Sequence, residues 1–137
     1  MILDRRAHGF AGWAALTAWL VPGLVLAHHS FSAEYSRDLP VEVTGIVSNV
    51  EWTNPHARFY VKVAGEGGEV VTWDFELTTP NILMRRGWKA NSLKPGDTVT
   101  VTGWRARNGE HTANAGSVTL ENGTKLFTGS AGDQQQN

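Results

Sequence analysis

Two runs of strict apolar–polar alternation constrain this chain more than any other feature. In residues 57–63, Phe59, Val61 and Val63 fall on one side and Arg58, Tyr60 and Lys62 on the other. In residues 69–77, Val71, Trp73, Phe75 and Leu77 alternate with Thr72, Asp74 and Glu76. Gly65-Glu66-Gly67-Gly68 stands between them and supplies a turn. A period of two puts successive side chains on opposite faces, so each run reads as a strand with one buried and one solvated side, as in an antiparallel hairpin. Arg58, Tyr60 and Lys62 are expected opposite Asp74 and Glu76 on the solvated face. Cross-strand pairs of opposite charge there contribute roughly 0.2–1 kcal/mol each.

The flanking segments extend the same pattern. Residues 41–50 read as an earlier strand, with Gly45 inside it marking a bulge or sharp bend. Trp52-Thr53-Asn54-Pro55-His56 is a connection, because Asn before Pro disfavours helix and starts a turn. Thr79-Pro80 begins a short helix with Thr as N-cap and Pro in the first turn, and Gly87 is placed to end it. Leu93-Lys94-Pro95-Gly96-Asp97 turns into a strand over residues 98–105, with Val99 and Val101 inward. Asn108-Gly109 is another turn signal, residues 113–120 form a fifth strand, and Asn122-Gly123 leads into a short run at 124–127. The order is strand, strand, strand, short helix, strand, strand. The expected fold is therefore all-β: a small five- to six-stranded OB-fold-like barrel with one short helix between strands 3 and 4. An open sandwich is the alternative.

The N-terminus is of a different kind. Arg5 and Arg6 precede an uncharged apolar run over residues 11–26, which closes on Val25-Leu26-Ala27. That is the three-part pattern of a secretory signal cut after Ala27. A stable membrane anchor fits less well, because the run is short and interrupted by Pro22-Gly23, whereas a spanning helix needs about 20 apolar residues. The expected organisation is a signal peptide over 1–27, a polar leader over 28–40, the barrel domain over 41–128 and a disordered Gln-rich tail over 129–137. The expected location is periplasmic or secreted. The exported part carries 10 Lys and Arg against 12 Asp and Glu, a near balance that gives no reason to expect nucleic acid as a partner. There is no cysteine, so thiolate chemistry and disulfides are both excluded, and stability rests on packing of residues such as Trp52, Trp73, Trp88 and Trp104.

Export changes what the first residues can do. A cut after Ala27 makes His28 residue one, whose free α-amine and ring nitrogen can chelate one cation, with His29 or His56 as a further nitrogen. A cut one residue earlier places a histidine third, where amine, two deprotonated amides and imidazole form a planar set. Both arrangements suit Cu(II) or Ni(II), for which tetragonal nitrogen ligation is diagnostic, and copper is favoured. Zinc is matched less well without a defined tetrahedral set. The bland alternative is a polar, flexible start to the chain. The second candidate is the 52–56 connection: Trp52 as a platform, Asn54 as an amide and, beside them on the next strand, Tyr60, together able to take a peptide, glycan or partner protein. Trp52 equally suits packing against a barrel end, and Asn54 an Asx-turn. Arg85, Arg86, Lys89 and Lys94 form a basic patch that also serves the C-terminal end of the short helix. No serine-nucleophile motif, phosphate loop or HExxH helix is present, so no catalytic constellation is legible.

His28-His29-Ser30-Phe31, Glu34-Tyr35, Trp52-Thr53-Asn54-Pro55-His56, Arg85-Arg86-Gly87-Trp88, Leu93-Lys94-Pro95-Gly96-Asp97 and Lys125-Leu126-Phe127 together resemble the bacterial family DUF6152. The resemblance covers essentially the whole chain after the signal. It implies a small, exported, barrel-like protein with no established activity, and it draws attention to His28, His29 and His56.

Overall fold

The computed structural model describes residues 31–129. The expected signal over 1–27, His28, His29 and all of the expected tail except Gly129 lie outside the described residues. The elements are α1 (Phe31–Glu34), β1 (Tyr35–Glu51), β2 (Arg58–Ala64), β3 (Val70–Glu76), α2 (Pro80–Arg85), β4 (Thr98–Ala106), β5 (Thr112–Leu120) and β6 (Lys125–Phe127). Among the described residues the fold is all-β with two short helices. The strands run in the order β3-β2-β1-β4-β5-β6, all neighbours antiparallel, and a short parallel pairing of β3 with β5 closes the first five into a ring.

β1 makes that closure possible. Residues 35–46 pair with β4 and residues 46–51 pair with β2, so Ile46 faces both Thr98 and Lys62. The handover falls beside Gly45, the residue whose lack of a side chain suggested a bend. A Cβ there would run into the Lys62 carbonyl oxygen and approach Val61 Cγ1 to 2.8 Å. Only glycine lets the two backbones come this close. The register then slips between Val47 and Asn49, a bulge that adds to the twist of the strand as it crosses from one side of the ring to the other.

The leader expected over 28–40 is ordered earlier than its polar composition suggests. Phe31–Glu34 is a helical turn and β1 begins at Tyr35, which pairs with Ala106 and is fully buried. Non-local bonds hold it: the Arg107 amide donates to the Glu34 carbonyl at 2.9 Å, and Arg107 Nε donates to the Ser32 carbonyl at 3.0 Å. The Phe31 ring meets Trp104 edge-on, with centroids 5.7 Å apart. Between Tyr35 and Pro40 the register with β4 shifts, and regular pairing resumes at Pro40 opposite Trp104.

The hairpin of β2 and β3 has the register that the alternation implied, with Phe59 opposite Phe75 and Val61 opposite Trp73. Phe59 and Phe75 stack at 5.3 Å between centroids, and Trp73 stacks on Phe75 at 5.8 Å. Around them Val43, Val47, Val99, Val101, Ala113, Ala115 and Val118 complete the core. α2 starts as expected: Thr79 Oγ1 accepts from the Ile82 amide at 3.4 Å, Pro80 sits in the first turn, and Gly87 follows with a φ of +90°. The segment it belongs to contributes Leu83, Trp88 and Leu93 to the same core.

Candidate functional site

The outward face of β2 and β3 carries a connected group of ionisable side chains, assembled by strand register. Arg58 faces Glu76 and Tyr60 faces Asp74 across the hairpin. The Arg58 guanidinium forks onto Asp74, with Nε to Oδ1 at 3.0 Å and Nη2 to Oδ2 at 2.9 Å, and its Nη1 reaches Glu76 Oε2 at 3.4 Å. Two parallel N–H···O bonds fix the plane of the guanidinium as well as its position. Burial alone would lower the Arg58 pKa, but the hydrogen bond and charge of Asp74, with the charge of Glu76, raise it overall.

His56 joins this group from the connection between β1 and β2. Its neighbour Ala57 is fully buried and pinned by backbone bonds, donating to the Thr78 carbonyl at 3.2 Å and accepting from the Leu77 amide at 2.8 Å. The preceding Asn54–Pro55 peptide bond is cis. With its base fixed in this way, His56 lies beside the end of β3, and its Nδ1 is 3.0 Å from Glu76 Oε1. The His56 side chain is 47% exposed while that of Glu76 is 12% exposed. The ring therefore lies against a largely buried carboxylate while about half of it remains open to solvent.

The second oxygen of Glu76 is also engaged. Tyr35 Oη donates to Glu76 Oε2 at 3.2 Å, across 41 positions of sequence. Burial first, then the charges of Glu76 and Glu34, push the Tyr35 phenol well above its usual range. Tyr60, further along β2, is raised less, by burial and then by the Asp74 and Glu51 carboxylates. In total two carboxylates face one guanidinium, leaving the cluster with an excess negative charge beside His56.

The structure thus brings His56 together with Tyr35, Arg58, Asp74 and Glu76. Asn54 is exposed at the tip of the connection, and Trp52 is partly buried and packs against the core. The charged face expected to be merely solvated is more enclosed than that, because the start of β1 returns over it and brings Tyr35 to Glu76. Tyr35 and Glu76 had no sequence signal of their own as site residues. The nearest clue was the placement of Glu76 opposite Arg58 in the hairpin. Among the described residues, no group of three or more His, Asp or Glu is arranged to hold a metal ion. His56 is the one candidate nitrogen ligand that is described, and Phe31, the first described residue, follows His29 by two positions.

The family model of DUF6152, a family of unknown function, matches residues 18–115. The match takes in His28, His29 and every member of the His56 cluster. No curated protein and no solved structure matches the chain.

Proposed function

This chain belongs to DUF6152, a family of unknown function, and on that premise we propose that it is an exported small binding protein that holds a transition metal, copper favoured, through His28, His29 and His56. The fold reading that goes with it is an OB-like barrel behind a cleaved signal peptide, working in the periplasm or outside the cell. The ring closed by a parallel β3–β5 pairing, with a helix between the third and fourth strands, supports the barrel reading.

The observation that carries the metal reading is the shared carboxylate of Glu76. One oxygen lies 3.0 Å from His56 Nδ1, and the other accepts from the hydroxyl of Tyr35, six residues after His29. Tyr35, near the start of the described residues, is therefore held by the same carboxylate that lies against His56. An α-amine and imidazole from His28, a further imidazole from His29 and Nε2 of His56 make a nitrogen-rich set suited to Cu(II).

The rival reading is a module that binds a peptide, glycan or partner protein on the barrel face through Trp52, Asn54 and Tyr60. Trp52 packs against the core, and that commitment of its ring weighs against the rival. The two are separated by purifying the exported protein with its native N-terminus and titrating it with Cu(II), after intact mass has located the cut. One tightly bound Cu(II) with a nitrogen-rich spin-resonance signal, lost in His28→Ala and on adding an N-terminal Met, is the expected result. Equal, weak binding by native-start and Met-extended protein would sink the metal reading.

A further inference from the structure

We infer that the surface formed by α2, the segment that follows it and β6 is a docking face for an anionic lipid bilayer surface. The inference is independent of the metal reading and uses none of its residues. The near balance of charge over the chain conceals a segregation. Residues 79–96 hold Arg85, Arg86, Lys89 and Lys94 and no Asp or Glu, and residues 122–129 add Lys125, again with no acid. These two stretches contain five of the ten lysines and arginines of residues 31–129, while all eleven Asp and Glu of that range lie elsewhere.

The fold brings the two stretches together. The Trp88 indole N–H donates to the Phe127 carbonyl at 2.9 Å, and the Arg86 side chain lies so close to Gly129 that a Cβ there would meet its guanidinium. All five cations are exposed, and none makes an ion pair among the described residues. The helix accounts for little of this charge: α2 ends at Arg85, and Lys89, Lys94 and Lys125 lie beyond the turn that its dipole reaches. Asp97 and Glu121, the carboxylates that adjoin these stretches, line one depression together and border the face. Met84, 51% exposed, and Phe127, 60% exposed, stand among the cations, with Lys125 Nζ 5.3 Å from the centre of the Phe127 ring. Apolar tips set among long cationic side chains suit a bilayer surface, where the tips enter the headgroup boundary and the cations meet lipid phosphates. A bilayer requires no fixed cation geometry, and no carboxylate fixes one here, in contrast to Arg58, whose fork onto Asp74 sets its plane. A single-stranded nucleic acid would instead call for a series of exposed rings. Phe127 is the one exposed ring of these two stretches, since Trp88 is buried.

The test uses the full-length exported protein and vesicles of phosphatidylcholine, alone or with an equal part of phosphatidylglycerol, and reads bound protein by co-sedimentation. Binding to the phosphatidylglycerol vesicles at low salt, none to phosphatidylcholine alone, and release at about 0.5 M salt are the expected results. Arg85→Gln and Lys89→Gln should each weaken binding about fivefold. Phe127→Ser should weaken it with the charge unchanged. The three side chains are exposed, so circular dichroism should show the wild-type fold in each variant. Lys62→Gln removes the same charge from the outer face of β2, away from the docking face, and should leave binding unchanged. A loss in Lys62→Gln equal to that in Arg85→Gln would show that binding follows net charge, and it overturns the inference. Equal binding to both kinds of vesicle, or binding to neither, overturns it as well. Retention on immobilised polyglutamate without binding to phosphatidylglycerol vesicles would assign the face to an acidic protein and overturn the lipid reading.

Discussion

The hydroxyl of Tyr35 donates to Glu76 Oε2 at 3.2 Å and so joins the first residue of β1 to the last residue of β3. The phenol is buried, and burial together with the nearby Glu76 and Glu34 charges raises its pKa well above the ordinary value of about 10. Below that value the phenol is protonated in both folded and unfolded chains, and its contribution to stability is fully present. Above it the unfolded chain ionises while the folded chain holds the proton, so that contribution falls by about 1.4 kcal/mol per pH unit. Tyr35→Phe is therefore expected to cost about 1.5–3 kcal/mol at neutral pH, the range for a hydrogen bond to a charged group. The gap between the two proteins should narrow from about pH 10 upward, since phenylalanine does not ionise. Urea unfolding of both proteins between pH 7 and about pH 11.5 checks it. A gap that stays constant across the range would show that the phenol titrates normally.

The closure of the ring at Gly45 makes a second expectation. A Cβ at this position collides with backbone, the Lys62 carbonyl, which cannot swing aside as a side-chain tip does. Gly45→Ala is expected to destabilise by about 1–3 kcal/mol, the usual cost of forcing atoms into a packed site. For a domain of this size that is a drop of roughly 4–8 °C in Tm for each kcal/mol. Amide exchange should rise first at the β1–β2 register, residues 46–51 and 58–62, because those pairings must part to admit the methyl group. A Tm within a degree of the wild type would mean that β1 and β2 do not approach as closely as described.

The residues of this one hairpin show how far the sequence could be followed. Phe59, Val61, Trp73 and Phe75 were legible as a buried face because their spacing alone encodes it, and Gly45 was legible as a bend because glycine inside a strand has few other reasons. Thr79-Pro80 announced α2 through local capping chemistry. Tyr35 was not legible: the segment around it is polar, and what orders it is pairing with Ala106, some 70 residues away, and a hydrogen bond to Glu76. The His56–Glu76 contact was hidden for the same reason. His56 belongs to a connection whose course depends on tertiary bonds at Ala57, so no spacing rule relates it to a strand residue 20 positions on. The sequence pointed to His56 as a candidate, but only the fold supplied the carboxylate that lies beside it.

Trp88 links the segment after α2 to the last strand, and a third prediction concerns that link. Its ring is buried, and Nε1 donates to the Phe127 carbonyl at 2.9 Å. β6 has only three residues paired to β5, so this single side-chain bond is a large share of what holds it. Beyond it, Thr128 Oγ1 donates to the Ala115 carbonyl, and Thr128 is fully buried. Trp88→Phe keeps an aromatic ring in the core but leaves the Phe127 carbonyl without its donor. The expected cost is about 1–3 kcal/mol, combining the unpaired carbonyl and the lost ring volume. Hydrogen exchange at residues 125–128 should accelerate more than exchange at the β1–β4 pairing. Equal acceleration everywhere would mean that Trp88 acts on the core as a whole and not through β6.

Asn114 is the remaining oddity of the face that carries the cluster. It lies between Glu76 and Trp104 in the sheet register, is 3% exposed, and its Oδ1 has no hydrogen-bond partner among the described residues. A buried acceptor that makes no bond has given up its bonds to water without replacement, at a cost of about 1–3 kcal/mol. Leucine has the same branched shape with no polar atoms. Asn114→Leu is therefore expected to leave stability unchanged or raise it by about 1 kcal/mol, where a substitution that broke a satisfied buried amide would lower it. The reading is the urea midpoint at constant m, which separates a change in stability from a change in compactness. A loss of 2 kcal/mol or more would show instead that the amide is satisfied in solution and belongs to the network around Glu76.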